Sequence, residues 1–348
     1  MDRTSRFAAF VLVIMVSLNA LAGEPAPQPP SRTGKVRQTV ERAIGYLQTE
    51  SGTWLRDRKC AACHHAAMPM WALGEAERQG YPIDRKFLAD MAEAALGGPK
   101  EMIASRIADD PAAPPDPRPM ARGVNLGAVF MAVAAQALPS INAGEKHSMS
   151  LIASDVVKKQ RADGSWEFFL SRPPINESQA TDAAWMLMAL QGPSEPEVAE
   201  FRVVALTKGM EWLVHAPPGD NEQVKVLKLL LQIRAGTPRE KVQSAIGELL
   251  ALQRPDGGWG QTAAARSDAF ATGQTLYVLS SAGCGAQQPE IRHAIDFLLD
   301  SQKPDGSWPM TSRATPDGRV GSAKLLTPIT CAATAWATLG LSRLAPAK

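Results

Sequence analysis

Apolar residues recur along this chain at helical spacing, in segments that come in pairs. Between Ile291 and Ser301, Ile295, Leu298 and Leu299 fall on one helical face and charged residues on the other. Each amphipathic segment of this kind is followed, after a turn, by a second apolar segment of smaller residues, such as Cys331-Ala-Ala-Thr-Ala-Trp-Ala-Thr-Leu-Gly. Strand-type runs are scarce. The pattern predicts an all-α protein of six helix pairs. First helices are expected near 35–48, 84–97, 146–160, 199–215, 239–253 and 289–302, and their partners near 66–80, 121–138, 178–191, 222–236, 267–283 and 327–343. Small side chains permit close approach, which suits the partner helices to an inner ring surrounded by an outer one.

A phrase, Gln-x3-Gly-x-Trp, punctuates the pairs at Gln48–Trp54, Gln160–Trp166, Gln253–Trp259 and Gln302–Trp308. The last three read Arg-Ala-Asp-Gly-Ser-Trp, Arg-Pro-Asp-Gly-Gly-Trp and Lys-Pro-Asp-Gly-Ser-Trp after the Gln. Asp-Gly is turn chemistry, since Gly accepts positive φ and Asp bonds its own backbone. All four phrases are therefore expected as turns between helices. Arg292-His-Ala-Ile-Asp-Phe297-Leu-Leu-x-x-Gln302-x3-Gly306-x-Trp308 resembles the "QW" repeat of squalene–hopene cyclases and prenyltransferases. Arg42-Ala43, Tyr46-Leu47 and Gln48 to Trp54 repeat it slightly shortened, and Lys208-Gly209 with Trp212-Leu213 opens a copy that lacks the Gln and Trp. The resemblance implies an α/α toroid of six helical hairpins over residues 34–346, in which Gln and Trp hold adjacent hairpins together and carry no catalysis.

The same resemblance raises cyclase or transferase activity on an apolar isoprenoid, and the residues answer it only in part. Those cyclases protonate their substrate with Asp-x-Asp-Asp, which this chain lacks. The candidate acids are Asp182 and Asp268, each opening a partner helix. The structural alternative for each is a capped helix start, with Thr181 or Ser267 as N-cap and the Asp favouring the helix dipole. Asp109 and Asp110 fall in a Pro-rich loop and are expected to be solvated. A carbocation cascade needs aromatic faces, and 8 Trp, 9 Phe and 3 Tyr are few when four Trp belong to the repeat. The zinc-binding Asp, Cys and His of prenyltransferases have no matching spacing. Gly283-Cys284-Gly285-Ala286-Gln287 resembles the thioester segment of complement-type toroids, but Ala286 replaces its Glu, and a Gly-rich interhelical turn explains it. Whether Cys284 and Cys331 pair is open.

The chemistry outside the repeat begins at Cys60-Ala-Ala-Cys63-His64, the attachment pattern of a c-type haem. Cys60 and Cys63 would form the thioethers and His64 the proximal iron ligand. With 4 Cys and 5 His in 348 residues, chance predicts roughly 0.0007 such patterns. Zinc, a disulfide or free thiols are the alternatives. For the distal face, Met120 is the candidate, with His147 and Met102 as rivals; Met68 and Met70 are expected in the core, and His215 and His293 at the surface. The Pro-rich loop from Pro111 to Pro119 is long enough to be functional. Arg118 and Arg122 beside it are candidates for the haem propionates, or are simply solvated.

The start of the chain agrees with haem attachment outside the cytoplasm. Arg3 and Arg6, the apolar run Phe7 to Leu18 and Ala20-Leu21-Ala22 read as a signal peptide over 1–22, with a Pro-rich linker over 23–33 and a haem-attachment segment over 54–71. A periplasmic or secreted location is expected, without a stable membrane span. Net charge is +2, or +1 once Asp2, Arg3 and Arg6 are removed, and no Lys or Arg run offers a nucleic-acid footprint. The sequence thus supports an exported toroid carrying haem c and working with a redox partner. It keeps two alternatives: a terpenoid cyclase or transferase, and a non-enzymatic scaffold with an apolar small molecule in its cavity.

Overall fold

A computed structural model describes residues 31–58, 64–96, 123–168, 171, 173–217, 221–313 and 329–347. Among the described residues, twelve α-helices alternate between two rings. The outer helices are α1 (Arg32–Arg58), α3 (Arg85–Leu96), α5 (Ala143–Lys158), α7 (Pro196–His215), α9 (Arg239–Ala251) and α11 (Pro289–Ser301). The inner ones are α2 (Ala67–Arg78), α4 (Leu126–Ala135), α6 (Gln179–Leu190), α8 (Glu222–Arg234), α10 (Ala269–Ser281) and α12 (Thr330–Leu344). Each inner helix packs on the next, and α12 returns to α2 to close the ring.

Burial follows the predicted division. Every residue of α12 from Cys331 to Ser342 is buried, whereas α7 buries only Ala205, Gly209 and Leu213. Glycine brings inner helices into backbone contact. A Cβ on Gly340 would stand 2.8 Å from the Gly273 carbonyl oxygen of α10, and one on Gly74 would stand 2.6 Å from the Ala137 carbonyl oxygen. No larger residue fits these crossings.

Three of the Trp phrases are turns that lock one hairpin to the next. Gly164, Gly257 and Gly306 all have positive φ, between 86° and 89°. Gln160 Nε2 donates to Gly164 O at 3.0 Å and to Ala205 O of α7 at 2.8 Å. Gln253 does the same to Gly257 O and to Glu290 O of α11. Gln302 donates to Gly306 O and, across the closing seam, to Thr39 O of α1 at 2.9 Å. The three indoles, Trp166, Trp259 and Trp308, are buried and donate Nε1–H to Val156 O, Leu249 O and Leu298 O of their own outer helices.

The first phrase departs from this plan. Gln48 to Trp54 was expected as a turn, but α1 continues through it to Arg58. The phrase Ser51-Gly52-Thr53-Trp54 has no Asp-Gly, and Gly52 does not adopt positive φ, so nothing stops the helix. Gln48 keeps its seam role, with Oε1 accepting Asp84 N at 3.0 Å before α3. Trp54 does not take the seam position and lies half-buried near the end of α1.

Candidate functional site

The inner helices run in one direction, so their N-termini gather at one mouth of the ring and their C-termini at the other. At the C-terminal mouth, Arg343 Nη1 donates to buried Glu75 Oε1 at 2.6 Å, and Arg78 Nη2 to Gln136 O at 2.6 Å. Arg234 donates to the side-chain oxygens of Gln191 and Gln136. Arg78 thus satisfies backbone carbonyls at the end of α4, and all three guanidinium groups oppose the partial negative charge of the inner helices' C-termini.

Both acids named from the sequence lie at the N-terminal mouth, in unlike surroundings. Asp268 is the N-cap of α10: Oδ1 accepts Ala271 N at 2.8 Å and Oδ2 accepts Gln261 Nε2 at 2.8 Å. The expected cap, Ser267, instead bonds Asp256. Gln261 Oε1 accepts Arg313 Nε, and Arg313 Nη2 pairs with Glu177. Burial pushes the Asp268 carboxyl up while these bonds pull it down. Its bonds make it structural.

Asp182 has no such partners. Ser178, not Thr181, caps α6, accepting Thr181 N at 3.2 Å, because the helix starts one turn earlier than a Thr181 cap would set it. That places Asp182 on the inner face, 5% exposed, with Oδ1 buried and without a hydrogen-bond partner among the described residues. Desolvation alone raises its carboxyl well above the usual range, so it favours the neutral acid. The buried amides of Gln223 on α8 and Gln274 on α10, which no motif marks, carry further atoms without a partner among the described residues.

One turn along α6 from Asp182 the ring is filled. Trp71, Phe130, Trp185, Phe270, Tyr277 and Trp336 meet across its axis. Trp71 and Trp336 centroids are 5.1 Å apart, Trp71 and Tyr277 5.6 Å, and Phe130 and Trp185 4.9 Å, in edge-to-face contacts. The cavity lined by Gln223, Phe270 and Gln274 has a volume of about 10 Å³, enough for one water. Among the described residues these rings come together at the centre of the ring, beside this small cavity.

The second place of interest is the junction of α1 and α2. Cys60, Cys63 and Met120 lie outside the described residues, as do Met102, Asp109, Asp110, the loop from Pro111 to Pro119, Arg118, Arg122, the 1–22 segment and most of the linker. His64 and His65 are described and half-buried, immediately before α2. The Trp54 indole stacks on the His65 imidazole, with centroids 3.9 Å apart and planes within 5°. His64 is tilted 53° to Trp54 at 6.2 Å and lies 4.7 Å from His65. Desolvation, then the His64 charge, lowers His65 to about 4. His65 Nδ1 is buried with no partner among the described residues.

The remaining sequence candidates are placed plainly. Met68 and Met70 are core residues of α2, and His215 and His293 are exposed. His147 Nδ1 pairs with Glu195 at 3.0 Å, which ties α5 to the start of α7 and engages one ring nitrogen of that rival ligand. Cys284 and Cys331 are both buried and free. Cys284 follows Gly283, at φ 84°, in the turn after α10, as the Gly-rich turn reading expects. No helix among the described residues is long and apolar enough to cross a membrane.

Comparison with known proteins agrees with this architecture. Residues 216–347 match the squalene-hopene cyclase C-terminal domain. No curated protein sequence matches the chain. Among solved structures, a variant of the type II terpene cyclase MstE from Scytonema without ligand is 15% identical, with a TM-score of 0.55 over 90% of this chain and 98% of that one. Another MstE variant, in complex with geranylgeranyl dihydroxybenzoate, is 14% identical with a TM-score of 0.55 over 90% and 99%. A third, bound to its product merosterolic acid A, gives 15% and 0.52 over 90% and 98%. At this identity the likeness is one of fold: the chain is an α/α toroid of terpene-cyclase type.

Proposed function

We propose that the chain is an exported protein that uses the toroid as a scaffold, carries a c-type haem on its first hairpin, and exchanges electrons with a redox partner protein. The observation that carries this reading is where the repeat breaks. Three phrases make seam turns. The first, next to Cys60-Ala-Ala-Cys63-His64, is helix and sends its Trp to the histidine pair. Departures from a local rule concentrate at functional sites.

The donor set, two thiols and an imidazole at this spacing, fits a haem. Cys60 and Cys63 would hold it through thioethers, with His64 as proximal ligand and Met120 as the distal candidate. Bound there, it supplies reversible one-electron transfer. Buried Met68, Met70 and Trp71 fix α2 in the ring, so His64 stands on a rigid base.

A second reading, a terpenoid-cyclase-like enzyme acting on an apolar isoprenoid, is favoured by Asp182 and by the comparisons, which speak for it more directly than for a haem. A buried neutral carboxylic acid beside aromatic rings is the form that protonates an alkene. Its O–H bond would break, a C–H bond would form at one alkene carbon, and the carbocation left at the other would lose a proton. The packed centre opposes this, since a polyisoprenoid would have to displace Phe270, Gln274 and the Trp rings.

One preparation tests both readings: wild type, Cys60→Ala/Cys63→Ala and Asp182→Asn, each exported from a host that matures c-type cytochromes. Wild type should carry the added mass of one haem, the double variant none, and neither should convert a geranylgeranyl-bearing arene. Bare polypeptide mass together with Asp182-dependent conversion of that arene would replace the first reading with the second.

A further inference from the structure

The small cavity at the N-terminal mouth lies between the starts of α8 and α10. Four amide side chains line it: Asn221, Gln223, Gln261 and Gln274. Two of them are engaged within the protein. Asn221 Oδ1 accepts Gln223 N at 2.7 Å and its Nδ2 donates to Thr181 Oγ1, while Gln261 bonds Asp268 and Arg313. The other two are not. Gln223 and Gln274 are 5% and 1% exposed, and Gln223 Nε2, Gln223 Oε1 and Gln274 Nε2 have no partner among the described residues. Burying amides unpaired is costly, so the cavity calls for a guest that pairs them. We propose that it binds the hydroxyl group of an aliphatic alcohol; this depends on neither reading of the function above.

The unpaired atoms select the guest. Two amide nitrogens and one amide oxygen are complemented by a group with two lone pairs and one O–H, which is a hydroxyl. Both polar atoms of Gln223 are unpaired, so exchanging its amide O and N leaves this count unchanged. A carboxylate has no hydrogen for Gln223 Oε1, and an ammonium has no lone pair for the amide N–H groups. A primary amide is too large, since the cavity holds about 10 Å³, the room of one water. Water itself carries a second O–H, which would face the hydrocarbon of Val226, Phe270 and Ala271. An alcohol places carbon there instead.

Saturation-transfer difference spectra of the full chain with 1-butanol and with diethyl ether test this. The two probes are isomers, and both offer oxygen lone pairs, but only butanol has an O–H for Gln223 Oε1. In wild type the butanol signal should exceed the ether signal by about tenfold or more. In Gln223→Met/Gln274→Met, where Met keeps the unbranched shape of Gln, the butanol signal should fall to that of the ether. Equal signals from the two probes in wild type would overturn the inference without recourse to any variant. A butanol signal that persists in the double variant would overturn it too, and leave water as the guest.

Discussion

At the scale of single residues, Asp182 and Asp268 show how far a sequence position goes towards a role. Both are acids at the start of inner helices, and both were legible as such. What separates them is contact. Asp268 caps its helix and accepts from Gln261, whereas Asp182 Oδ1 meets no donor among the described residues. Neither predicted cap was right, because a shift of one to three residues in the helix start hands the cap to a neighbour, Ser178 in one case and Asp268 itself in the other. The consequence for Asp182 is measurable. Its folded-state carboxyl binds a proton more tightly than in the unfolded chain. Stability from this group is therefore complete below the unfolded value, near pH 4, and is lost as pH rises through the higher folded value. Asp182→Asn removes that dependence. Its urea midpoint should exceed that of wild type at pH 8, and the gap should close towards pH 4. Midpoints running parallel across this range would mean that the carboxylate is compensated in the folded protein.

At the scale of elements, the helix pairs were legible because apolar periodicity and Asp-Gly turns agree along most of the chain. The ends of α8, α9 and α11 fall within two residues of expectation. Hairpin one differs because its phrase shares Gln, Gly and Trp with the others but lacks the Asp-Gly that makes the turn. Two substitutions separate the cases. Gly306→Ala puts a methyl on a residue at φ 89° that rests on the Arg42 backbone. The left-handed conformation alone costs about 1–2 kcal/mol, and the contact with α1 adds to it. Gly52 is inside a helix, where Ala is favoured by about 0.5–1 kcal/mol. The Phe87 ring, 3.3 Å from the new methyl, takes back part of that gain. Gly306→Ala should thus lose about 2 kcal/mol or more, and Gly52→Ala should be neutral or slightly stabilising, in chemical denaturation. Equal losses would return the first phrase to a turn.

At the scale of the whole molecule, the closed ring was legible through the repeat, and its packed centre was not. Few aromatics were expected to remain for the interior once four Trp served the seams. Only three do: Trp166, Trp259 and Trp308. Trp54 faces the histidines, and Trp71, Trp185 and Trp336 converge on the axis with Phe130, Phe270 and Tyr277. Whether such rings line a cavity or fill it depends on how far across the axis each helix face reaches, which periodicity along one helix does not encode. The same fold in MstE accommodates geranylgeranyl dihydroxybenzoate. Here the described residues place their own rings at the centre. The most direct test is a pyridine haemochrome spectrum of the denatured protein after export from a host that matures a control cytochrome c. The account predicts a c-type spectrum that survives denaturation and organic extraction and disappears in Cys60→Ala/Cys63→Ala. A colourless wild-type protein from that host would contradict it.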